Sequence, residues 1–140
     1  IVTGVVDALS ELGAKKIVVG TPYLDEINTL EAEFLTTKGF EILDVQGLNL
    51  ETGIEFGQVT PSYWKAFAQE IDQPGADAVF LSCGGIRSLE VAEDIEKLIG
   101  KPVITSNQVQ FWSCLRRAGI NDKITGYGEI FSRPGIGITP

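Results

Sequence analysis

At 140 residues the chain has room for one domain, and 44% hydrophobic residues with a mean hydropathy of +0.14 specify a packed interior and exclude disorder. A formal charge of −8 excludes nucleic-acid and anionic-membrane surfaces, which need clustered lysine and arginine, but leaves open small anions held by backbone N–H groups. The lack of histidine, with Cys83 and Cys114 too far apart for a zinc spacing, argues against a metal site.

No apolar run reaches the length of a membrane span and no signal-peptide pattern opens the chain, so free thiols in a reducing cytoplasm are expected. The chain begins at Ile1 and contains no methionine, which reads as a processed end or the edge of a fragment. Val2 to Gly13 has a helical stripe of Val5, Val6, Leu9 and Leu12, with Gly13 as its stop. Lys15 to Gly20 is the first strand, followed by the turn Thr21-Pro22-Tyr23. The next helix, Leu24 to Lys38, has Ile27, Leu30, Phe34 and Leu35 as its expected inner face.

Phe40 to Gln46 alternates as a second strand. Gly47 to Val59 holds three glycines and reads as one long irregular connection of the kind that serves as a lid or binding loop. Thr60-Pro61 opens a helix to Asp72 with Trp64, Phe67, Ala68 and Ile71 facing inward. The apolar run Ala78 to Leu81 is a strand buried on both faces, and Ser88 to Ile99 is the helix after it. Gly100 to Ser106 supplies a fourth strand, and Gln108 to Ala118 a helix burying Val109, Trp112 and Leu115. Residues 1–118 form an α/β unit, and residues 119–140, rich in glycine, read as a C-terminal strap and tail.

Strands alternating with helices imply right-handed crossovers, a four-stranded parallel sheet and helices on both faces, a three-layer sandwich. The strand tips then gather Thr21, Tyr23, Gly47, Ser82, Cys83, Gly84, Gly85, Thr105, Ser106 and Asn107 along the edge where ligands bind in such sheets. In Leu81-Ser-Cys-Gly-Gly-Ile86 the glycines allow a sharp turn and close approach to main-chain N–H groups. A thiol at a strand-to-helix turn gains thiolate character from the helix dipole. A buried small hydrophobe is the usual fate of a free cysteine, but Cys-Gly-Gly at a strand tip favours the reactive reading for Cys83.

Tyr23, just before a helix, can donate to a developing oxyanion or simply cover the helix start. Asp25 and Glu26 suit the helix dipole, as do Arg116 and Arg117 at the other helix end. Cys114 is expected to be packed within its helix, and Arg87 to hold a carboxylate or a surface salt bridge. Phosphate-loop and dinucleotide fingerprints are missing, as is any Ser/His/Asp set.

Four stretches, Thr21-Pro-Tyr-Leu-Asp-Glu-Ile-Asn28, Leu81-Ser-Cys-Gly-Gly-Ile-Arg-Ser-Leu89, Gly100-Lys-Pro-Val-Ile-Thr-Ser-Asn-Gln108 and Gly126-Tyr-Gly-Glu-Ile-Phe131, carry a further signal. Together they resemble the second half of the aspartate/glutamate racemase superfamily, in the branch of maleate cis-trans isomerase, arylmalonate decarboxylase and ectoine-utilisation proteins. The resemblance implies two similar α/β halves closing over a small carboxylic-acid substrate, without cofactor. It casts Cys83 as the catalytic cysteine, acting in proton transfer or as nucleophile, and Tyr23 as an oxyanion-binding phenol. Thr21, Ser82, Gly84, Gly85, Thr105, Ser106 and Asn107 would then line the substrate.

Family members carry an N-terminal half before the point where this sequence starts, so the chain is expected to be a half-enzyme with an open cleft and little turnover alone. An open cleft exposes apolar surface, so a covering half or self-association is expected. The alternative is a non-catalytic carboxylate-binding or assembly module. A response-regulator-like domain is disfavoured because no acidic cluster marks the strand tips.

Overall fold

A computed structural model describes residues 2–135. The elements run α1 (Val2–Glu11), β1 (Lys16–Thr21), α2 (Asp25–Thr37), β2 (Glu41–Gly47), α3 (Gly53–Gln58), α4 (Pro61–Ile71), β3 (Ala78–Leu81), α5 (Ala92–Ile99), β4 (Val103–Thr105) and α6 (Ser106–Arg117). The strands form one sheet in the order β2-β1-β3-β4, and each pairing is parallel. From β1 the chain crosses outward to β2 and then returns past β1 to β3. The direction of winding therefore reverses between β1 and β3, which opens a crevice at their carboxyl ends.

Alternation along the strands separates two cores. Ile17, Val19, Ala78, Phe80 and Ile104 face α1, α6 and Leu35 of α2, with Trp112 buried among them. Val18, Val79, Leu81 and Val103 face α4 and α5, around Trp64. Burial of strand residues on both faces explains why these segments read as uninterrupted apolar runs.

Four expectations need correction. The connection after β2 is not wholly irregular: Thr52 and Glu55 form a reciprocal capping box that starts α3, a signal masked by Gly53 and Gly57. The helix after the Cys83 loop begins later than Ser88, with a 3-10 turn at Leu89–Val91 before α5, and Ser88 makes no side-chain cap. Ile27 and Leu30 of α2 are 46% and 62% exposed, so half of its apolar stripe faces outward beside the crevice. Cys114 is exposed instead of packed.

Arg116 does far more than meet a helix dipole. Its guanidinium is buried and donates to the carbonyls of Ile120, Asp122, Phe131 and Arg133, at 2.8–3.4 Å. Gln108 donates to the Tyr127 carbonyl, and Ile130 and Phe131, in a 3-10 turn over Glu129–Ser132, enter the first core. The segment after residue 118 is thus fastened to the domain as far as it is described; residues 136–140 of the expected tail lie outside the described residues. Among the described residues no helix is long and apolar enough to cross a membrane.

Candidate active site

The first wall of the crevice is the turn after β1. Thr21 donates to Asn28 Oδ1 at 2.5 Å, and the Tyr23 N–H donates to Thr21 Oγ1 at 3.1 Å, which closes the turn and starts α2. Gly47 lies so close behind it that a Cβ there would stand 2.3 Å from the Tyr23 carbonyl. Only glycine fits. The Tyr23 ring meets Phe56 of α3 edge-on, with centroids 5.8 Å apart, so the segment expected to be a loop holds the tyrosine from its side.

The second wall is the tip of β3. Ser82 is fixed to β1 by its N–H on the Gly20 carbonyl at 2.9 Å. Cys83 follows with φ +124°, a conformation that L side chains rarely adopt and that costs about 1–3 kcal/mol. Its N–H donates to Ser106 Oγ at 3.0 Å, and the Gly85 N–H donates to its sulfur at 3.3 Å. The helix next to Cys83 is therefore α6, through Ser106 in its first turn, and not the one that follows in sequence. Asn107 donates from Nδ2 to the Ile86 carbonyl at 3.4 Å and braces the far end of the Gly84-Gly85 turn.

These walls enclose an open groove of about 570 Å³ in which Tyr23, Ser82, Cys83, Gly84 and Ser106 meet the apolar side chains of Val5, Ile27, Leu30, Phe34 and Phe80. Two residues expected to touch substrate stand elsewhere. Thr21 and Thr105 are fully buried and spend their hydroxyls internally, Thr21 on Asn28 and Thr105 as the cap of α6 toward the Gln108 N–H. They position the strand tips from behind. Gly85 and Asn107 shape the turn that carries Gly84. Arg87 is turned outward in a surface pair with Glu90.

One residue of the groove escaped sequence reasoning. Glu31, on α2, accepts from Ser82 Oγ at 2.5 Å through Oε1, while its Oε2 is shielded from solvent and has no partner. Burial pushes its carboxyl above the usual range, with the Ser82 hydrogen bond opposing. The available signal was an acid four residues after Ile27 and three before Phe34, inside an apolar helical stripe.

Burial likewise raises the Tyr23 phenol well above its ordinary value. The neighbouring Cys83 and the charge of Glu31 add to the rise, and the polar Ser82 side chain opposes it. Tyr23 is therefore a proton-bearing donor throughout the neutral range. No group of three histidine, cysteine, aspartate or glutamate side chains able to hold a metal ion occurs among the described residues.

Fold and site together define a parallel α/β unit with a strained cysteine, a phenol and turn amides converging at its topological switch point. The arylmalonate decarboxylase family profile matches residues 1–131, and the chain belongs to that family. It is 30% identical over 135 residues to arylmalonate decarboxylase of Bordetella bronchiseptica, covering 92% of this chain and 55% of that one. It is 29% identical over 128 residues to maleate isomerase of Alcaligenes faecalis, covering 91% and 51%. A mutant Nocardia farcinica maleate cis-trans isomerase with a covalently bound succinylcysteine intermediate superposes with a TM-score of 0.87 at 25% identity, covering 91% of this chain and 53% of that one. The chain thus spans about half the length of these relatives.

Proposed function

We propose that this chain is the cysteine-bearing half of a cofactor-independent isomerase, racemase or decarboxylase acting on small carboxylic acids, in the manner of the maleate isomerases. A substrate carboxylate rests against the Tyr23 hydroxyl and the Gly84 N–H. Charge moving onto its oxygens as an enediolate or a thioether-linked intermediate forms is met by donors already fixed in place. Cys83 exchanges a proton with the adjacent carbon or adds to it. The observation that carries this reading is Cys83 itself: a non-glycine residue held at positive φ with its sulfur beside the Gly85 N–H in an open groove. Strain of this kind persists where it serves a site.

The exposed Val2, Ile27 and Leu30 beside the groove support a covering element, either an N-terminal half-domain or another copy of the chain. A reducing compartment such as the cytoplasm suits a site that needs Cys83 as a free thiol. Turnover of maleate and of an arylmalonate, assayed with the chain alone and joined to any upstream segment its gene encodes, tests the proposal. The expected result is turnover by the longer protein, lost in Cys83→Ala, and little by the isolated chain. Turnover that survives Cys83→Ala overturns it.

A further inference from the structure

The groove contains an ionisable group for which the reading above has no task. Glu31 reaches Ser82 through one oxygen and leaves the other buried without a partner, an arrangement that is costly for a carboxylate. Tyr23 and Cys83 line the same groove beside Ser82, and both Ser82 and Cys83 act on the Tyr23 phenol, so polar side chains are gathered between the carboxyl and the sulfur. The titratable groups facing Glu31 across the groove are Tyr23, at the head of its own helix, and Cys83, from the tip of β3. The lining residues from α1 and α6 are Val2, Val5 and Ser106, none of which titrates.

We propose that Glu31 is the proton store of this site, exchanging a proton with the Cys83 sulfur through the Ser82 hydroxyl and the Tyr23 phenol. This rests on the cysteine chemistry proposed above and assigns the route by which the sulfur is recharged. When Cys83 has given up its proton, the Tyr23 O–H bond breaks and an S–H bond forms. The Ser82 proton then restores the phenol, and the Glu31 proton restores the serine. Glu31 is left as a carboxylate and takes its proton back from water. Each hydroxyl gives one proton and receives one, and no electrons change hands. Read backwards, the same steps make a thiolate for addition.

The burial that raises the Glu31 carboxyl suits it to hold a proton where an exposed acid would not. The test needs no substrate, so its outcome is separate from whether the protein turns over maleate. In a Cys114→Ser background, the rate of Cys83 alkylation by iodoacetamide is followed against pH. Wild type is expected to show an inflection above the ordinary carboxylate range that both Glu31→Gln and Ser82→Ala remove, with alkaline rates unchanged within about twofold.

A Glu31→Gln profile that superimposes on wild type overturns the proposal, as does loss of the inflection in Glu31→Gln but not in Ser82→Ala. Should a variant fail to fold, carboxyl-carbon NMR of the wild type reads the same linkage. Capping Cys83 with iodoacetamide is expected to shift the Glu31 titration midpoint, and an unmoved midpoint refutes the relay.

Discussion

Two buried polar clusters flank α6, and they are built on opposite principles. At its carboxyl end every donor of Arg116 named above has a carbonyl. At its amino end the side chains of Tyr23, Glu31, Ser82 and Cys83 meet with one carboxylate oxygen unpartnered and one residue in a strained backbone. A satisfied network fixes a shape; an unsatisfied one, open to a groove, is kept for chemistry. The two ends should therefore respond to mutation in opposite ways.

The largest contrast is expected in activity. In the complete protein Cys83→Ala should lower turnover by a factor of about 10³ or more, while Arg116→Lys leaves the groove intact and activity within a few-fold. Steady-state assays alongside urea titrations read both, and a Cys83→Ala enzyme of near-normal rate breaks the contrast.

Stability should show the reverse. Arg116→Ala removes the donor to the buried Phe131 carbonyl and to the part-buried carbonyls of Ile120, Asp122 and Arg133, so a loss of about 2–3 kcal/mol is expected by urea unfolding. Cys83→Gly relieves the positive φ and should leave stability unchanged or raise it by about 1 kcal/mol. A large loss in Cys83→Gly would mean that the strain has been misplaced.

The smallest effect is a pH dependence. Glu31 has a folded-state pKa raised by burial, so the stability it contributes is complete below the unfolded carboxylate range and is lost as pH rises through the folded value. Glu31→Gln should therefore gain on wild type as pH rises from 4 toward 8. Thermal unfolding of the two proteins over that range checks the sign, and a constant difference would contradict it.

Much of this was legible in the sequence. The sheet and the gathering of strand tips follow from three apolar runs, continuous because they are buried on both faces, from the alternating Phe40–Gln46, and from the glycines and prolines between them. Cys83 and Tyr23 were legible through their position at strand ends. The roles of Thr21 and Thr105 were not, since a threonine at a strand tip reads alike whether its hydroxyl faces substrate or caps the next helix. Ser106 was placed among the site residues, but its contact with the Cys83 N–H crosses from β3 to α6 and exists only in the fold. Glu31 was hidden because an acid on an amphipathic helix ordinarily belongs to the solvent face, and only the apolar neighbours one turn away mark it as different.

The most direct measurement compares the two thiols. Under limiting iodoacetamide near neutral pH, with the modified peptides quantified by mass spectrometry, half-buried Cys83 should react at least about tenfold faster than exposed Cys114, because its sulfur opens on the groove with the Gly85 N–H beside it, whereas Cys114 has no such setting. Equal rates, or faster modification of Cys114, would contradict the assignment of Cys83 as the reactive centre.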